Sequence, residues 1–214
     1  MLRVPVAGQV KTRLVPPLTP KGAAGLYECF IQDIFSRISV LNGIDIIAAY
    51  TPQNLISRAR RLAPSRVIII PQKGKDLGER LQNIFYQLFS IGYKKIAIIG
   101  TDSPDLPIEY IEKSFSLLNG KKELVLGPAE DGGYYLIAMS RNCNKILKGI
   151  PWSTNMVFEK TIKKAEKADL TSAILPRWYD VDDIESLKTL RKNIKNTPYA
   201  IQTSKAIEHV FKNL

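Results

Sequence analysis

The sequence contains the stretch IAIIGTDSPDLP, residues Ile96–Pro107, in which an apolar run is followed by a glycine and a polar turn. A short apolar run bounded by turn residues predicts a buried strand. Asp102 follows this strand after Gly100 and Thr101, and a helix is predicted to begin near Pro107. Because ligands bind outside the carboxyl ends of the strands in open α/β sheets, Asp102 is expected at a ligand-binding edge.

The rest of the chain alternates between similar apolar runs and helical patterns. Strands are predicted at Ile44–Tyr50, Arg66–Ile70, Lys94–Gly100, Glu123–Gly127 and Tyr134–Met139. Helices are predicted near Lys21–Leu41, Asn54–Leu62, Leu77–Ile91, Pro107–Leu118, Asn155–Lys167, Ile184–Asn196 and within Thr197–Leu214. Thr19-Pro20 and Thr51-Pro52 are expected to open the first two helices.

This alternation indicates an α/β fold with a mainly parallel sheet. The chain between Gly127 and Tyr134 is too short for a crossover helix, so an antiparallel or bent pair is expected there and the sheet should be mixed. The 214 residues contain no internal repeat and no linker rich in Gly and Ser. A single domain spanning residues 1–214 is therefore predicted, with residues 197–214 as a C-terminal helical extension.

Composition excludes several classes of protein. No apolar run approaches the ~20 residues that span a bilayer, and no secretory signal is recognised, so a cytoplasmic protein without membrane insertion is expected. Cys29 and Cys143 lie outside any metal-ligand spacing and are interpreted as packing residues. The net charge of +11 favours an anionic partner. Specific nucleic-acid binding is not expected, because the basic residues are scattered and no RRM, KH or helix-turn-helix signature occurs.

Two acidic segments offer ligands for a hard cation such as Mg²⁺, which takes one or two carboxylates plus substrate phosphates. Asp102 is the first candidate; the alternative is that Asp102 and Asp105 cap the following helix. In WYDVDDIESL, Asp180 and Asp182 would point the same way from an extended backbone and could complete the site. Their alternative role is an acidic cap on the next helix, which explains Asp183 well.

A loop near the start offers cations for a polyphosphate. In PVAGQVKTRLVPPL, Lys11 and Arg13 flank Thr12 on a segment that also contains Gly and Pro. The loop matches neither the Walker A pattern nor the GxGxxG fingerprint. We therefore treat it as a phosphate-binding candidate of a different kind.

Two further segments offer backbone groups to a ligand. KDLGERL places Asp76, Gly78 and Arg80 at the start of a helix, where free N–H groups favour an anion, although helix capping explains the pattern nearly as well. GPAEDGGYYL contains Gly132 and Gly133, whose missing side chains let backbone N–H groups approach a ligand. A tight hairpin turn would need the same Asp-Gly sequence.

In this order, the segments PVAGQVKTRL, DLGERL, GTDSPDLP, GPAEDGGYYL, PWST and DVDD resemble a family of small bacterial and archaeal GT-A-fold proteins. That family is described as glycosyltransferases or as a domain of unknown function. It is similar to 2-phospho-L-lactate guanylyltransferase and the molybdenum cofactor guanylyltransferases. The resemblance runs from about Val4 to Leu187 and implies a three-layer α/β/α fold of the nucleotide-diphospho-sugar transferase type; only Leu2–Val4 stands for the family's first strand.

The resemblance also implies a set of site residues. Lys11 and Arg13 would contact nucleotide phosphates, and Asp102, Asp180 and Asp182 would hold Mg²⁺ or Mn²⁺. Asp102 and Asp131 would be the catalytic residues. The other candidates for substrate or nucleotide binding are Thr12, Asp76, Gly78, Arg80, Thr101, Gly132, Gly133, Tyr134, Trp152, Ser153 and Thr154.

These implications favour a metal-dependent transferase with a nucleotide-activated donor and a small-molecule acceptor, glycosyltransferase-like. The alternative is a nucleotidyltransferase, guanylyltransferase-like, that acts on a phosphorylated small molecule. An alternative of another class is a non-catalytic nucleotide- or nucleic-acid-binding protein, which fold analogy does not exclude.

Overall fold

The computed structural model describes residues 1–120, 122–195 and 197–212. The chain forms two compact units and crosses between them four times: one unit comprises Met1–Pro71, Thr101–Leu106 and Asp180–Leu214, the other Gln72–Gly100 and Pro107–Tyr179. The single-domain assignment stays a prediction. Two predicted helices extend beyond the described residues, the first to Asn196 and the second to residues 213–214.

The first unit contains a three-stranded parallel sheet. Its strands β1 (Leu2–Arg3), β2 (Ile47–Thr51) and β3 (Ile68–Pro71) lie in the order β1-β2-β3. Its helices are α1 (Pro20–Ile38), α2 (Ile56–Leu62), α6 (Ile184–Ile194) and α7 (Ile201–Lys212). A short 3-10 helix, Thr12–Leu14, lies within the predicted phosphate loop, directly after Lys11.

The second unit contains a four-stranded mixed sheet. Its strands are β4 (Ile96–Ile99), β5 (Leu124–Pro128), β6 (Tyr134–Met139) and β7 (Ser172–Ile174), in the order β4-β6-β5-β7. Strand β6 runs antiparallel to β4 and β5, whereas β5 and β7 are parallel. Its helices are α3 (Leu77–Ser90), α4 (Ile108–Asn119) and α5 (Val157–Lys167).

This architecture confirms the predicted α/β class and its mixed, mainly parallel strand pairing. The predicted antiparallel pair between Glu123–Gly127 and Tyr134–Met139 is the β5–β6 hairpin. The sequence analysis missed β7, a three-residue strand too short for an alternation signal. Within the described part of the chain, no helix is long and apolar enough to cross a membrane.

Helix starts follow capping chemistry where a polar side chain can reach the first turn. The Thr19 hydroxyl accepts from the Gly22 N–H, so the predicted cap of α1 is confirmed. The predicted cap at Thr51-Pro52 is wrong: Thr51 ends strand β2, and α2 begins only at Ile56, after a 3-10 turn. Its hydroxyl is therefore too early in the chain to serve that helix.

The C-terminal helix α7 is held by a buried carboxylate of α1. Asp33 is 5% exposed and accepts from the N–H groups of Gln202 at 3.2 Å and Thr203 at 2.7 Å. The Arg37 guanidinium lies 3.8 Å from the centre of the Tyr199 ring. These contacts give Asp33 and Arg37 a structural role.

Candidate functional site

The first unit brings four of the predicted residues together around one ammonium group. The Lys11 side chain is only 3% exposed; its Nζ lies 3.0 Å from Asp182 Oδ1 and also donates to Asp102 Oδ1. Arg13 is 68% exposed and lies 3.5 Å from Asp182. We call Lys11, Arg13, Asp102 and Asp182 the Lys11 cluster.

Electrostatics keeps Lys11 charged despite its burial. Burial alone would lower the pKa of Lys11, but the carboxylates of Asp102 and Asp182 outweigh it and raise the pKa above its ordinary value. Both carboxylates are themselves 42% exposed. A buried cation is thus held beneath two carboxylates that solvent, or a ligand, can reach.

Backbone pairing explains why two distant acidic segments meet. The Val181 N–H donates to the Asp102 carbonyl oxygen at 2.9 Å, which aligns residues 180–182 with residues 101–103. The Ser103 hydroxyl donates to Asp180 Oδ1 at 2.8 Å, whereas Asp182 contacts Lys11. Asp180 and Asp182, predicted to point the same way, thus have different partners.

The predicted metal trio is therefore only partly assembled around Lys11. Within residues 1–120, 122–195 and 197–212, no group of three His, Cys, Asp or Glu side chains is arranged to hold a metal ion. The roles of Asp102, Asp180 and Asp182 as metal ligands stay predictions.

Of the two helix caps that were considered for the acidic residues, one is wrong and one is correct. Helix α4 begins at Ile108 after Pro107, without a side-chain cap, so the alternative that Asp102 and Asp105 cap this helix is wrong. Asp105 is 2% exposed and accepts from the Asn193 amide at 3.4 Å. Asp183 caps α6 in a capping box with Ser186, as its alternative role predicts.

Two aromatic residues that the sequence analysis missed line the Lys11 ammonium. Lys11 Nζ lies 5.3 Å from the ring centre of Tyr27 and 5.7 Å from that of Phe30. The Tyr27 hydroxyl lies 2.6 Å from Thr101 Oγ1, and burial raises the pKa of Tyr27. No sequence signal separates them from core residues, because both occupy the apolar face of α1.

The second unit brings a different group of predicted residues together around Trp152. A Cβ atom on Gly78 would lie 2.1 Å from Trp152 Nε1, so the indole packs directly on this glycine. The Tyr134 and Trp152 rings meet edge to face, with centroids 6.2 Å apart. The motifs DLGERL, DGGYY and PWST thus converge in this unit.

Beside these rings, the β5–β6 turn borders an open cleft of about 330 Å³. The Gly133 N–H donates to Asp131 Oδ1 at 2.8 Å, and the Gly132 carbonyl accepts from the Phe158 N–H at 2.8 Å. The predicted hairpin turn is confirmed by this geometry and by the β5–β6 pairing. The cleft is lined by Pro128, Ala129, Glu130, Asp131, Gly132, Asn155, Phe158, Glu159 and Arg177.

The remaining candidates mostly support local structure. Asp76 caps α3 by accepting from the Glu79 N–H at 2.8 Å, so its capping alternative is correct. Arg80 Nε donates to the Gly74 carbonyl at 3.2 Å. Thr154 Oγ1 donates to the Pro151 carbonyl at 2.8 Å, and Ser153 adopts a φ of 65°. Their ligand-binding roles stay predictions.

The family is shown by a match over more than half of the chain. Residues 35–154 match the family described as uncharacterized protein conserved in bacteria, DUF2064. The chain belongs to this family. None of the curated proteins compared with this DUF2064 sequence matches it.

Solved structures extend the comparison to the whole fold of this DUF2064 chain. A candidate nucleotide-diphospho-sugar transferase from Desulfovibrio desulfuricans G20 is 32% identical, with a TM-score of 0.89 over 99% of this chain and 92% of that one. A cytidylyltransferase from Leptospira borgpetersenii is 14% identical, with a TM-score of 0.55 over 86% and 83%. Molybdopterin-guanine dinucleotide biosynthesis protein A from Archaeoglobus fulgidus is 12% identical, with a TM-score of 0.51 over 98% and 97%. The last two show the fold alone.

The Lys11 cluster fits a divalent cation by its donor chemistry. Mg²⁺ and Mn²⁺ prefer oxygen ligands, and Mg²⁺ is commonly held by one or two carboxylates with substrate phosphates completing the shell. Asp102 and Asp182 are two partly exposed carboxylates close enough to share one ammonium. This pair of the DUF2064 chain would suit a metal, and Asp180, the third predicted ligand, accepts from the Ser103 hydroxyl.

Gly132 provides a test of the turn beside the cleft. It has a φ of 89°, and an added Cβ atom would lie 2.1 Å from the Asn155 carbonyl oxygen. Gly132→Ala is therefore expected to lower the free energy of unfolding, measured in urea, by about 2 kcal/mol or more. The matched control is Gly25→Ala in α1, where a Cβ atom meets nothing within 4 Å, and it should stabilise the protein by up to about 1 kcal/mol. Equal effects of the two substitutions would contradict the described turn.

Proposed function

We propose that the chain is a metal-dependent transferase that acts on a nucleotide-activated donor. The observation that carries the proposal is the Lys11 ammonium held between Asp102 and Asp182, with Arg13 exposed beside them. Two cations and two carboxylates at one place suit a metal-bound polyphosphate. The carboxylates can bind a hard metal ion, and the cationic side chains can donate hydrogen bonds to the phosphate oxygens.

In this proposal the chain acts mainly by positioning and by charge neutralisation. Lys11 and Arg13 bind donor phosphates and orient them, and Thr12 contributes a hydroxyl group on the same loop. Thr101 supports the site through the segment that carries Asp102, because its own hydroxyl lies 2.6 Å from that of Tyr27. Asp102 and Asp182 hold Mg²⁺ or Mn²⁺, which when bound neutralises phosphate charge. Asp131 is the proposed base on the acceptor side, and its carboxylate also orients the hairpin turn through the Gly133 N–H.

The remaining proposed contacts lie in the second unit. Asp131 borders the cleft that would receive a small-molecule acceptor. The other residues proposed to bind substrate there are Asp76, Gly78, Arg80, Gly132, Gly133, Tyr134, Trp152, Ser153 and Thr154. A cytoplasmic location is part of this proposal.

Glycosyl transfer is the first candidate reaction. The 32% identical protein is described as a candidate nucleotide-diphospho-sugar transferase, and sugar transfer from a nucleotide-diphospho-sugar releases a nucleoside diphosphate. Nucleotidyl transfer is the second candidate, favoured by the position of both Lys11 and Arg13 at Asp182, because two cations suit the greater charge of a triphosphate. That reaction releases pyrophosphate.

The test is a ligand panel followed by product analysis. We expect one nucleoside triphosphate or nucleotide sugar to raise the thermal unfolding midpoint with Mn²⁺ or Mg²⁺ and to have little effect with EDTA. Product analysis of the hit then separates nucleoside diphosphate from pyrophosphate. A panel in which every nucleotide leaves the midpoint unchanged, with and without metal, would contradict the proposal.

The excess of Lys and Arg over Asp and Glu leads to a prediction about nucleic-acid binding. Several surface cations are already paired within one helix, such as Lys163 with Glu159 and Lys188 with Glu185. Any DNA or RNA binding should therefore be weak, indifferent to sequence and lost by moderate salt. Fluorescence anisotropy with labelled duplexes, titrated with NaCl, measures this. Sequence-selective binding that persists at physiological salt would overturn the transferase proposal.

A further inference from the structure

Tyr27 touches Lys11 and also Thr101, the residue that precedes Asp102. Its ring centre lies 5.3 Å from Lys11 Nζ, and its hydroxyl lies 2.6 Å from Thr101 Oγ1. Thr101 directly precedes Asp102, which accepts from Lys11. One side chain of α1 therefore contacts the cation and the residue next to one of its two carboxylates.

Burial strengthens both contacts. Tyr27 is 4% exposed and Thr101 is 6% exposed, so little water competes for their hydroxyl groups. The Lys11 side chain is also buried, and a desolvated cation is attracted more strongly to an aromatic face than a hydrated one. A buried ammonium without such partners would be costly.

Comparison with Phe30 shows what is particular to Tyr27. Phe30 offers a ring to the same ammonium, with its centre 5.7 Å from Lys11 Nζ, but it has no polar group. Its ring meets Tyr27 edge to face, with centroids 6.4 Å apart. Phe30 thus packs around the cation, whereas Tyr27 also bonds to the side chain of Thr101, the residue before Asp102.

We propose that Tyr27 is a positioning residue of the Lys11 cluster, holding the Lys11 ammonium with its ring and the Thr101–Asp102 segment with its hydroxyl. The consequence for phosphate binding rests on the proposed function. The positioning itself does not, and it can be measured without a nucleotide.

The first measurement follows the Lys11 ammonium by NMR of protein labelled with ¹⁵N at the lysine side chains. A buried, doubly bonded ammonium exchanges slowly with water, so one protected signal is expected in the wild-type chain and should vanish in Lys11→Met. The signal should persist in Tyr27→Phe, which keeps the ring, and disappear in Tyr27→Leu. A signal that stays protected in Tyr27→Leu would overturn the proposal.

The second measurement is the affinity for magnesium pyrophosphate, by calorimetry. Tyr27→Leu is expected to bind about tenfold more weakly or worse, because it loses both contacts. The matched control is Phe35→Leu, a buried aromatic further along α1, whose affinity should stay within about twofold of wild type at similar thermal stability. Loss of the ammonium signal with unchanged affinity in Tyr27→Leu would overturn the consequence for phosphate binding.

A double-mutant cycle tests the hydroxyl contact even if Tyr27→Leu does not fold. Tyr27→Phe and Thr101→Val both remove the hydrogen bond between the two hydroxyls, and Thr101→Val also removes the 3.4 Å contact to the Met1 carbonyl. Each should weaken pyrophosphate binding about threefold or more, and the loss in the double variant should be clearly smaller than the product of the two single losses. A double variant whose loss equals that product would show that the two hydroxyls act independently and would overturn the role of the hydroxyl contact.

The proposed function and the positioning role of Tyr27 can be contradicted separately. If the wild-type chain does not bind magnesium pyrophosphate, the proposed function loses its phosphate site. The ammonium signals of Tyr27→Phe and Tyr27→Leu still decide whether Tyr27 positions Lys11.

Discussion

Asp102→Asn is expected to reduce metal-dependent nucleotide binding by about 100-fold or more. Losing even an outer partner of a metal ligand costs about 10–100-fold in metal affinity, and Asp102 is the proposed ligand itself. The amide keeps an oxygen that can accept from Lys11, so the fold should survive with a modest change in thermal midpoint. Calorimetric titration of the nucleotide, with Mn²⁺ and with EDTA, measures the effect.

A matched control separates charge at the site from charge in general. Asp169→Asn also removes one carboxylate. Asp169 is exposed and has a φ of 51°, a conformation that Asn tolerates well. Its affinity should equal that of the wild-type chain. If Asp102→Asn retains wild-type affinity with Mn²⁺, Asp102 is not the metal ligand.

Lys11→Met is expected to weaken nucleotide binding about 30-fold, because a charge-assisted hydrogen bond to phosphate is lost. The same variant should bind Mn²⁺ alone more tightly than wild type. The ammonium and a divalent cation compete for Asp102 and Asp182, and removing the ammonium leaves two adjacent carboxylates that repel each other until a cation arrives. Parallel titrations with Mn²⁺ alone and with the nucleotide measure the two opposite changes.

Lys167→Met is the control, because Lys167 is an exposed lysine at the end of α5. Neither affinity should change in this variant. If Lys11→Met lowers both affinities, the simplest account is that Lys11 supports the local structure, and its phosphate role is then contradicted.

The sequence identified Asp102 and Lys11 because each combines a strong local pattern with a charged side chain. The sequence alone shows an apolar strand with Asp102 in the turn after it, and it also shows two cations on a loop that contains Gly and Pro. The contact between them depends on residues 180–182 pairing with residues 101–103, through the Val181 N–H and the Asp102 carbonyl. No one-dimensional pattern encodes that pairing.

The side-chain directions of Asp180 and Asp182 also could not be predicted from the sequence. Period-two alternation predicts a shared direction for Asp180 and Asp182, but each finds a different partner, Ser103 and Lys11 respectively. Tertiary contacts therefore override the local geometry of a short extended segment. Capping, by contrast, is a local interaction, and the sequence predicted the roles of Thr19 and Asp183 correctly.

Tyr27 could not have been identified from the sequence. It lies on the buried face of α1 among apolar residues, where an aromatic side chain at helical spacing is most often part of the core. Its contacts with Lys11 and Thr101 arise only because the Lys11 loop and Thr101 meet against this face. Trp152 and Gly78, by contrast, lie in motifs that the sequence analysis recognised. Only the contact between them required the structure.

The measurement that tests the central claim most directly is anomalous diffraction at the manganese edge, from crystals of the full chain grown with Mn²⁺ and the nucleotide that stabilises it. Our account predicts one strong manganese peak within bonding distance of carboxylate oxygens of Asp102 and Asp182. Lys11 and Arg13 should contact the nucleotide phosphates. A bound nucleotide with its manganese peak at other residues, or with no peak, would contradict the account.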